Sequence, residues 1–185
     1  MQDGLVIFKG AKIPEFESSV LLELERLTGK RFKLVESICK WRGYKGEFYT
    51  KETEIGDLCF SVKENRVNGI TLDDCNLNNL PGSIGRFQLL EILDVQYNNL
   101  DILPEWITNL TSLKTLILSF NKITELPESI SKLKNLVNIF IKHNQLTSLP
   151  ESICNLTSLE RLNLIGNPIK NLSESLNNSE CSIWK

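Results

Sequence analysis

The sequence predicts an α/β solenoid in which short strands and short helical turns stack along one axis. Three observations predict it: a 23-residue period, an aliphatic pattern kept in every unit, and an asparagine and a proline at fixed places in most units. The period covers residues 67 to about 176. Neither one helix nor one strand explains apolar residues at the uneven intervals found within each unit.

Five units stay in phase when the chain is shifted against itself by 23 residues. Six columns over five units make 30 positions, and all 30 are aliphatic although the chain as a whole is 41% hydrophobic. One unit cannot bury such a face alone, so the units must stack and share a core. The first column consists of Val67, Leu90, Leu113, Leu136 and Leu159.

Within a unit, alternating apolar residues predict a short strand, and the polar residue that follows marks a sharp turn. A buried amide at this turn can bond backbone groups of its own coil and of the next one. Proline and glutamate then open a short helical turn, because proline fixes φ and an acidic residue suits a helix N-terminus. The predicted structural ladder consists of Cys75, Asn98, Asn121, Asn144 and Asn167.

Residues 1–66 lie outside the period and are predicted to form an N-terminal cap of helices and a hairpin strand. The solenoid itself is predicted over 67–185, with a short C-terminal cap at its end, where Ile183 and Trp184 either cover the fifth unit or belong to a disordered tail. A bare solenoid end exposes core, so a cap is the favoured role for 1–66, and a second binding surface is the alternative.

Two elements of this cap can be predicted from their patterns. A helix begins near Pro14 and ends at Gly29. A β-hairpin turns at Glu64-Asn65 and leads into the first repeat strand, since apolar and polar residues alternate on both sides of the turn. The apolar face predicted for the helix comprises Val20, Leu21, Leu24 and Leu27.

The repeat resembles the leucine-rich repeat family, specifically its 23-residue class LxxLxxLxLxxNxLxxLPxxIxxL, which includes Ras-suppressor-like and plant intracellular Ras-group proteins. The resemblance implies a curved parallel sheet on the concave face and short helical or 3-10 segments on the convex face. It also implies protein binding, usually on the concave face, and sometimes regulation of small GTPases. The fifth unit departs from the pattern at Ser173 and Ser179, so the solenoid is expected to end there.

The outward strand positions carry apolar and aromatic residues where a merely solvated sheet would carry Thr, Lys and Glu. A contiguous apolar patch of this kind usually marks an interaction site. Acidic residues lie towards the first units and basic ones towards the last, a gradient that would orient a partner. Alternatively, the aromatic residues only cover the ladder. The predicted partner-binding residues are Ile92, Asp94, Tyr97, Ile117, Phe120, Phe140, Lys142, His143, Arg161 and Asn163.

Composition and the N-terminal sequence narrow the cellular setting. A net charge of -2 does not favour nucleic acid or an anionic membrane as a partner. The N-terminus lacks the pattern of a signal peptide, and no apolar run approaches membrane-spanning length. A cytoplasmic protein is therefore expected.

The sequence offers no catalytic, cofactor or metal motif. The chain has one histidine, no glycine-rich phosphate loop and five scattered cysteines without a CxxC pair. The segment from Cys39 through Trp41-x-Gly43 to Cys59 distantly resembles the cap of plant extracellular repeat receptors, whose matching cysteines form disulfides. Here the second cysteine lies too far along for that motif, and thiols are favoured over a disulfide.

We therefore expect a non-enzymatic protein-interaction module that needs no cofactor or metal. Its expected partner is a protein bound on the concave sheet, with a small GTPase or another signalling protein as the class that the resemblance implies. The alternative is a structural or self-assembling spacer whose concave patch is buried in a homo-oligomer. A monomer is the expected state, and it would favour the first hypothesis.

Overall fold

The structure, a computed structural model, describes residues 5–35, 40–42, 47–49, 58–177 and 181–185. Its N-terminal elements are β1 (Leu5–Phe8), β2 (Ala11–Pro14), α1 (Glu15–Thr28), β3 (Phe32–Leu34), β4 (Lys40–Arg42), β5 (Glu47–Tyr49), β6 (Leu58–Lys63) and β7 (Arg66–Thr71). The strands and the helix that follow are β8 (Ile92–Asp94), β9 (Thr115–Ile117), β10 (Asn138–Phe140), β11 (Arg161–Asn163), α2 (Glu174–Asn177) and β12 (Ser182–Trp184). Four 3-10 helices alternate with these strands, at Gly82–Arg86, Glu105–Asn109, Glu128–Lys132 and Glu151–Asn155.

One sheet of eight strands runs through the molecule in the order β12-β11-β10-β9-β8-β7-β6-β3. Its repeat strands are parallel, and each pairs with the next at a register of 23 residues, as in Leu93↔Leu116 and Leu116↔Ile139. The 3-10 helices return the chain from the end of one strand to the start of the next. This arrangement confirms the predicted leucine-rich repeat solenoid.

The core lies between the sheet and the 3-10 helices and is almost wholly aliphatic. Leu93, Leu116 and Ile139 from the strands and Ile107 and Ile130 from the 3-10 helices have no solvent exposure. Each 3-10 helix begins directly after a proline, whose extended backbone (φ near -66° at Pro127) leads into the turn.

A ladder of asparagine side chains connects successive coils. The side-chain oxygen of Asn121 accepts a hydrogen bond from the backbone N–H of Leu100 in the preceding coil, at 3.0 Å. Its amide nitrogen donates to the carbonyls of Val95 and Leu118, both at 3.0 Å. Asn98, Asn144 and Asn167 make corresponding bonds. Cys75 occupies this position in the first coil, where its thiol donates to the carbonyl of Asp73 in the same coil.

The cap helix α1 is anchored by two buried glutamates. Glu17 accepts hydrogen bonds from the Nε of Arg66 (2.7 Å) and from the backbone N–H of Val67 (2.8 Å) at the start of β7. Glu25 accepts from the backbone N–H of Phe32 (2.8 Å) at the start of β3 and pairs with Arg31 (2.7 Å). Both carboxylates thus satisfy backbone donors near the start of strands in the sheet.

The helix and the hairpin have the limits that the sequence patterns indicated, with one difference in the apolar face. The helix ends at Gly29 in the left-handed conformation (φ 69°), and β6 and β7 pair antiparallel around Glu64-Asn65. Val20, Leu21 and Leu24 are buried, but Leu27 is 56% exposed. It lies in the last turn of the helix, beyond the residues that pack on the core, so its predicted burial was wrong.

The C-terminal residues add a strand to the sheet. Strand β12 pairs in parallel with β11, and its Ile183 packs against the core. Trp184 points to the opposite side of the strand and is 40% exposed, so it is not part of a cover over the fifth unit. The predicted pairing state of Cys39 lies outside the described residues, whereas Cys59 and Cys75 are buried thiols.

Candidate functional site

The residue before each ladder position has a left-handed backbone. In this turn column, φ is 48° at Asp74, 55° at Tyr97, 58° at Phe120, 52° at His143 and 76° at Gly166. A residue other than glycine adopts this conformation at a cost of roughly 1 kcal/mol or more. Among these five residues only Gly166 is a glycine, the residue that most readily adopts a positive φ. The sequence pattern therefore did not reveal that the whole column has a left-handed backbone.

Hydrogen bonds between coils offset this cost. The backbone N–H of Tyr97 donates to the carbonyl of Ser119 (3.0 Å), and that of Phe120 donates to Lys142 (2.9 Å). The same bond recurs from His143 to Ile165 at 2.7 Å. The left-handed turn is thus fixed on both sides, by this bond and by the ladder asparagine that follows it.

The turn column brings three rings of the predicted site into one stack. The centroids of Tyr97 and Phe120 lie 4.5 Å apart with their planes within 7°, and those of Phe120 and His143 lie 4.7 Å apart. The ammonium of Lys142 stands 5.0 Å from the centre of the Phe120 ring. The His143 ring lies directly over Gly166, where an added Cβ would come within 2.4 Å of its Nδ1. The stack therefore ends at Gly166, where any larger residue would require the His143 ring to shift.

The centre of the concave face differs from the sequence prediction. Ile117 and Phe140 do lie on the concave side, where they pack against each other apart from the main core. They are only 2% and 1% exposed, so the expectation that they form an open patch was wrong. Neighbouring strands lie about 4.8 Å apart, which brings these side chains into contact, and a buried pair of this kind contributes to stability. Asp94 and Asn163, also predicted as contact residues, are each 4% exposed.

A polar row borders this buried pair on one side. The amide nitrogen of Asn138 donates to the hydroxyl of Thr115 at 3.1 Å, and Nη1 of Arg161 donates to the amide oxygen of Asn138 at 3.1 Å. Arg161 also pairs with Glu160 at 3.2 Å. The guanidinium is therefore held in place before any partner arrives. Ile92, the next predicted residue towards the cap, is half-buried beside Val35 and Cys59.

The predicted charge gradient is weaker than the sequence suggested. The acidic end of this gradient consists of Asp73, Asp74 and Asp94. Asp73 and Asp94 are only 5% and 4% exposed, so Asp74 alone of the three is on the surface. Burial raises the pKa of Asp94 to about 8, with Asp73 adding to the rise and the N–H of Gln96 opposing it. Asp94 is therefore largely protonated at neutral pH and adds little negative charge to the concave side.

The exposed apolar residues of the concave side lie at its C-terminal end. Ile165 is 42% exposed, and its carbonyl accepts the hydrogen bond from His143. Trp184 is 40% exposed and pairs in register with Asn163 on the neighbouring strand. With the half-buried Lys142 and Arg161, they form a surface of aromatic, aliphatic and basic groups. Nothing in the 23-residue period predicts β12, so the repeat pattern could not assign Trp184 to this surface.

Comparison with known proteins agrees with this geometry. A model described as a leucine-rich repeat region matches residues 98–178, and one described as a leucine rich repeat matches 65–123. Together the two matches cover more than half of the chain. This chain belongs to the leucine-rich repeat family.

Solved structures that resemble this chain include one of another leucine-rich repeat protein. A leucine-rich repeat protein from Leptospira interrogans is 32% identical to this one over 68% of the chain, with a TM-score of 0.53. An internalin from Listeria monocytogenes is 24% identical over 57% of the chain, with a TM-score of 0.49. This chain spans only 31% of the length of either protein. No curated protein matches it.

Leucine-rich repeat domains are generally protein-interaction modules rather than enzymes. Neither described helix is long and apolar enough to cross a bilayer. The cytoplasmic location expected from the sequence stays a prediction.

Proposed function

We propose that this leucine-rich repeat protein binds a protein partner at the C-terminal end of its concave side. The observation that carries the proposal is the cluster of exposed Ile165 and Trp184 next to the ring stack of the turn column. Aromatic and aliphatic anchors beside basic residues are typical of the centre of a protein interface. The contact residues retained from the sequence are Tyr97, Phe120, Lys142, His143 and Arg161, with Ile92 at the margin.

Two features favour binding by a preformed surface. The ring stack is fixed by its backbone turns, and Arg161 is held by Asn138, so few side chains need to be ordered when a partner arrives. Lys142 and Arg161 also supply positive charge that favours an acidic partner surface and speeds association.

A small GTPase is the partner class that the resemblance to Ras-suppressor-like proteins implies. The proposal can be narrowed by measuring binding to small GTPases in the GDP-bound and the GTP-bound state. Binding to one nucleotide state alone would identify a regulatory or effector role. Absence of binding to both nucleotide states would leave other signalling proteins as the partner class.

A matched pair of isoleucines tests the site. Ile165 and Ile102 are both exposed (42% and 58%), but Ile102 precedes Pro104 on the outer side of its coil. Because both are surface residues, either change to alanine should alter stability by less than about 1 kcal/mol. We expect Ile165→Ala combined with Trp184→Ala to weaken partner binding by roughly tenfold to a hundredfold, whereas Ile102→Ala leaves it unchanged. Weaker binding by Ile102→Ala, with binding by the double variant unchanged, would place the partner on the outer side.

Self-association is the second candidate, and the exposure of Trp184 on the last strand of the sheet favours it. A strand at the end of a sheet can pair with another chain. Sedimentation of the wild-type protein separates the two functions. A dimer that Trp184→Ala dissociates would favour assembly, and a monomer at all concentrations would favour partner binding.

A further inference from the structure

One aromatic ring gathers two arginine side chains at the junction of the cap and the first coil. Phe16 lies in the first turn of α1, Arg66 begins β7, and Arg86 ends the first 3-10 helix. The guanidinium carbon of Arg66 stands 5.4 Å from the centre of the Phe16 ring, and that of Arg86 stands 5.3 Å from it. The two cations therefore lie within about 11 Å of each other.

The N–H donors of these two arginines are largely unused. Nε of Arg66 donates to the fully buried Glu17 at 2.7 Å, which fixes the position of this guanidinium. Within the part of the chain that the structure describes, the terminal nitrogens of Arg66 and the whole guanidinium of the exposed Arg86 have no acceptor. Attraction to the face of Phe16 positions a guanidinium without using its N–H groups. The site thus presents two sets of N–H donors for a ligand.

The charges of the site leave it positive. Among the described residues, Glu17 is the one carboxylate that pairs with either arginine, so one positive charge is not compensated. The chain as a whole has a formal net charge of -2, so this excess of positive charge is local. Positive charge combined with unused N–H donors favours the binding of an anion.

The number of donors favours one class of anion. A single guanidinium can bind both oxygens of a carboxylate, so one arginine is enough for one carboxylate. A phosphate monoester has three acceptor oxygens and a charge of about -1.5 to -2 at pH 7, so it can accept from two arginines at once. Hydrogen-bond lengths place two guanidinium carbons about 8 Å apart or less when both bind one phosphoryl group. Because Arg86 is exposed, rotation of its long side chain can bring it that close to Arg66.

We propose that Arg66 and Arg86 form a binding site for a phosphate monoester, with Phe16 as the ring that positions both guanidiniums. Arg66 is the fixed half of the site, and Arg86 moves onto the phosphoryl group when the ligand binds. The phosphoryl group belongs either to a free phosphate ester or to a phosphorylated side chain of another protein. Strand β12 lies five strand spacings from β7, about 24 Å, so this site does not depend on the partner surface near Trp184.

Titration of the protein with three small probes tests the site, followed through the Nε–H signals of its arginines in ¹⁵N spectra. The probes are methyl phosphate, a blocked Gly-phosphoserine-Gly peptide and the blocked Gly-Glu-Gly peptide as the carboxylate control. We expect the signals of Arg66 and Arg86 to shift and saturate with both phosphates, with half-saturation at about 1 mM or below. The glutamate peptide should bind at least about tenfold more weakly.

The two phosphate probes also distinguish the sources of the ligand. Tighter binding of the phosphoserine peptide than of methyl phosphate would support a phosphorylated protein. Equal binding of the two would support a free phosphate ester. Absence of saturation with both phosphates would overturn the proposal, and so would equal affinity for the glutamate peptide.

A matched pair of arginine variants separates the site from general attraction by charge. Arg86 and Arg26 are both exposed, and Arg26 lies in the last turn of α1. Arg86→Gln and Arg26→Gln remove the same charge, and neither should unfold a protein in which both side chains are on the surface. We expect Arg86→Gln to weaken the binding of methyl phosphate by at least about tenfold and Arg26→Gln to leave it unchanged. Equal weakening by the two changes would show that net charge alone attracts the anion, and it would overturn the proposal.

Discussion

The N-terminal cap and the repeats satisfy the same backbone groups with different chemistry. In the repeats, the amide oxygen of Asn144 accepts a hydrogen bond from the N–H of Ile123 at 2.9 Å. In the cap, the carboxylate of Glu17 accepts one from the N–H of Val67 at 2.8 Å. The asparagine also donates to carbonyls, whereas the glutamate cannot donate and needs a cation, which Arg66 supplies.

This difference explains why the buried asparagine recurs along the coils whereas the buried glutamate does not. Buried carboxylates on successive coils would repel each other, and each would need its own countercharge. A neutral amide can recur at every coil without accumulating charge. The cap uses each carboxylate once, with Arg66 for Glu17 and Arg31 with Lys9 for Glu25.

The largest effect is expected from removing a cap carboxylate. Glu17→Ala leaves the N–H of Val67 and the partly buried Arg66 without their partner, and it should lower the free energy of unfolding by about 3–5 kcal/mol. Urea denaturation measures the loss. Glu23→Ala, on the exposed side of the same helix, is the matched control and should change stability by less than about 0.5 kcal/mol. Equal stability of the two variants would show that the carboxylate does not anchor the cap.

The pH dependence should have opposite signs in the two regions. The folded pKa of Asp94, about 8, lies above its ordinary 3.8, so the native protein holds a proton that the unfolded chain has released. Asp94 therefore lowers stability progressively as pH rises from about 4 to 8. Burial alone would raise the pKa of Glu25, but Arg31, the N–H of Phe32 and Lys9 outweigh it and lower that pKa. Its contribution is therefore present at neutral pH and is lost as pH falls through the folded pKa.

Melting temperatures from pH 4 to pH 9 check these signs. Asp94→Asn should be more stable than wild type at pH 8 and similar at pH 4, because it removes the titrating carboxyl and keeps an oxygen for Gln96. Glu25→Gln should lose stability at neutral pH and approach wild type in acid. A parallel pH profile for Asp94→Asn and wild type would contradict the raised pKa.

A smaller loss is expected from one step of the ladder. Asn121→Ala removes acceptor and donor groups from four backbone partners and should cost about 1–3 kcal/mol. Asn109, which is exposed at the end of a 3-10 helix, provides the control Asn109→Ala. Thermal and urea denaturation of the two variants measures the difference in their stability. If Asn121→Ala melts like the control, the ladder is not a source of stability.

The regular part of the fold could be predicted from the sequence because each coil buries the same columns. The position of the ladder follows from the same period, and so does the outward direction of Ile117 and Phe140. Their burial could not be predicted, since it depends on what packs on the concave face and not on the period of the strand. The roles of Glu17 and Glu25 were also missed, because each occurs once and looks like an ordinary helix glutamate. Strand β12 lies beyond the last full unit and carries no repeat signal.

The carboxylate-anchored cap and the amide-linked coils should unfold as one cooperative unit. Native-state hydrogen exchange tests it at two amides, that of Val67, which bonds Glu17, and that of Ile123, which bonds Asn144. We predict that both exchange only through global unfolding, with the same free energy and the same dependence on denaturant. Exchange of Val67 at a markedly lower free energy than Ile123 would show that the cap opens by itself and that the two regions are not one cooperative unit.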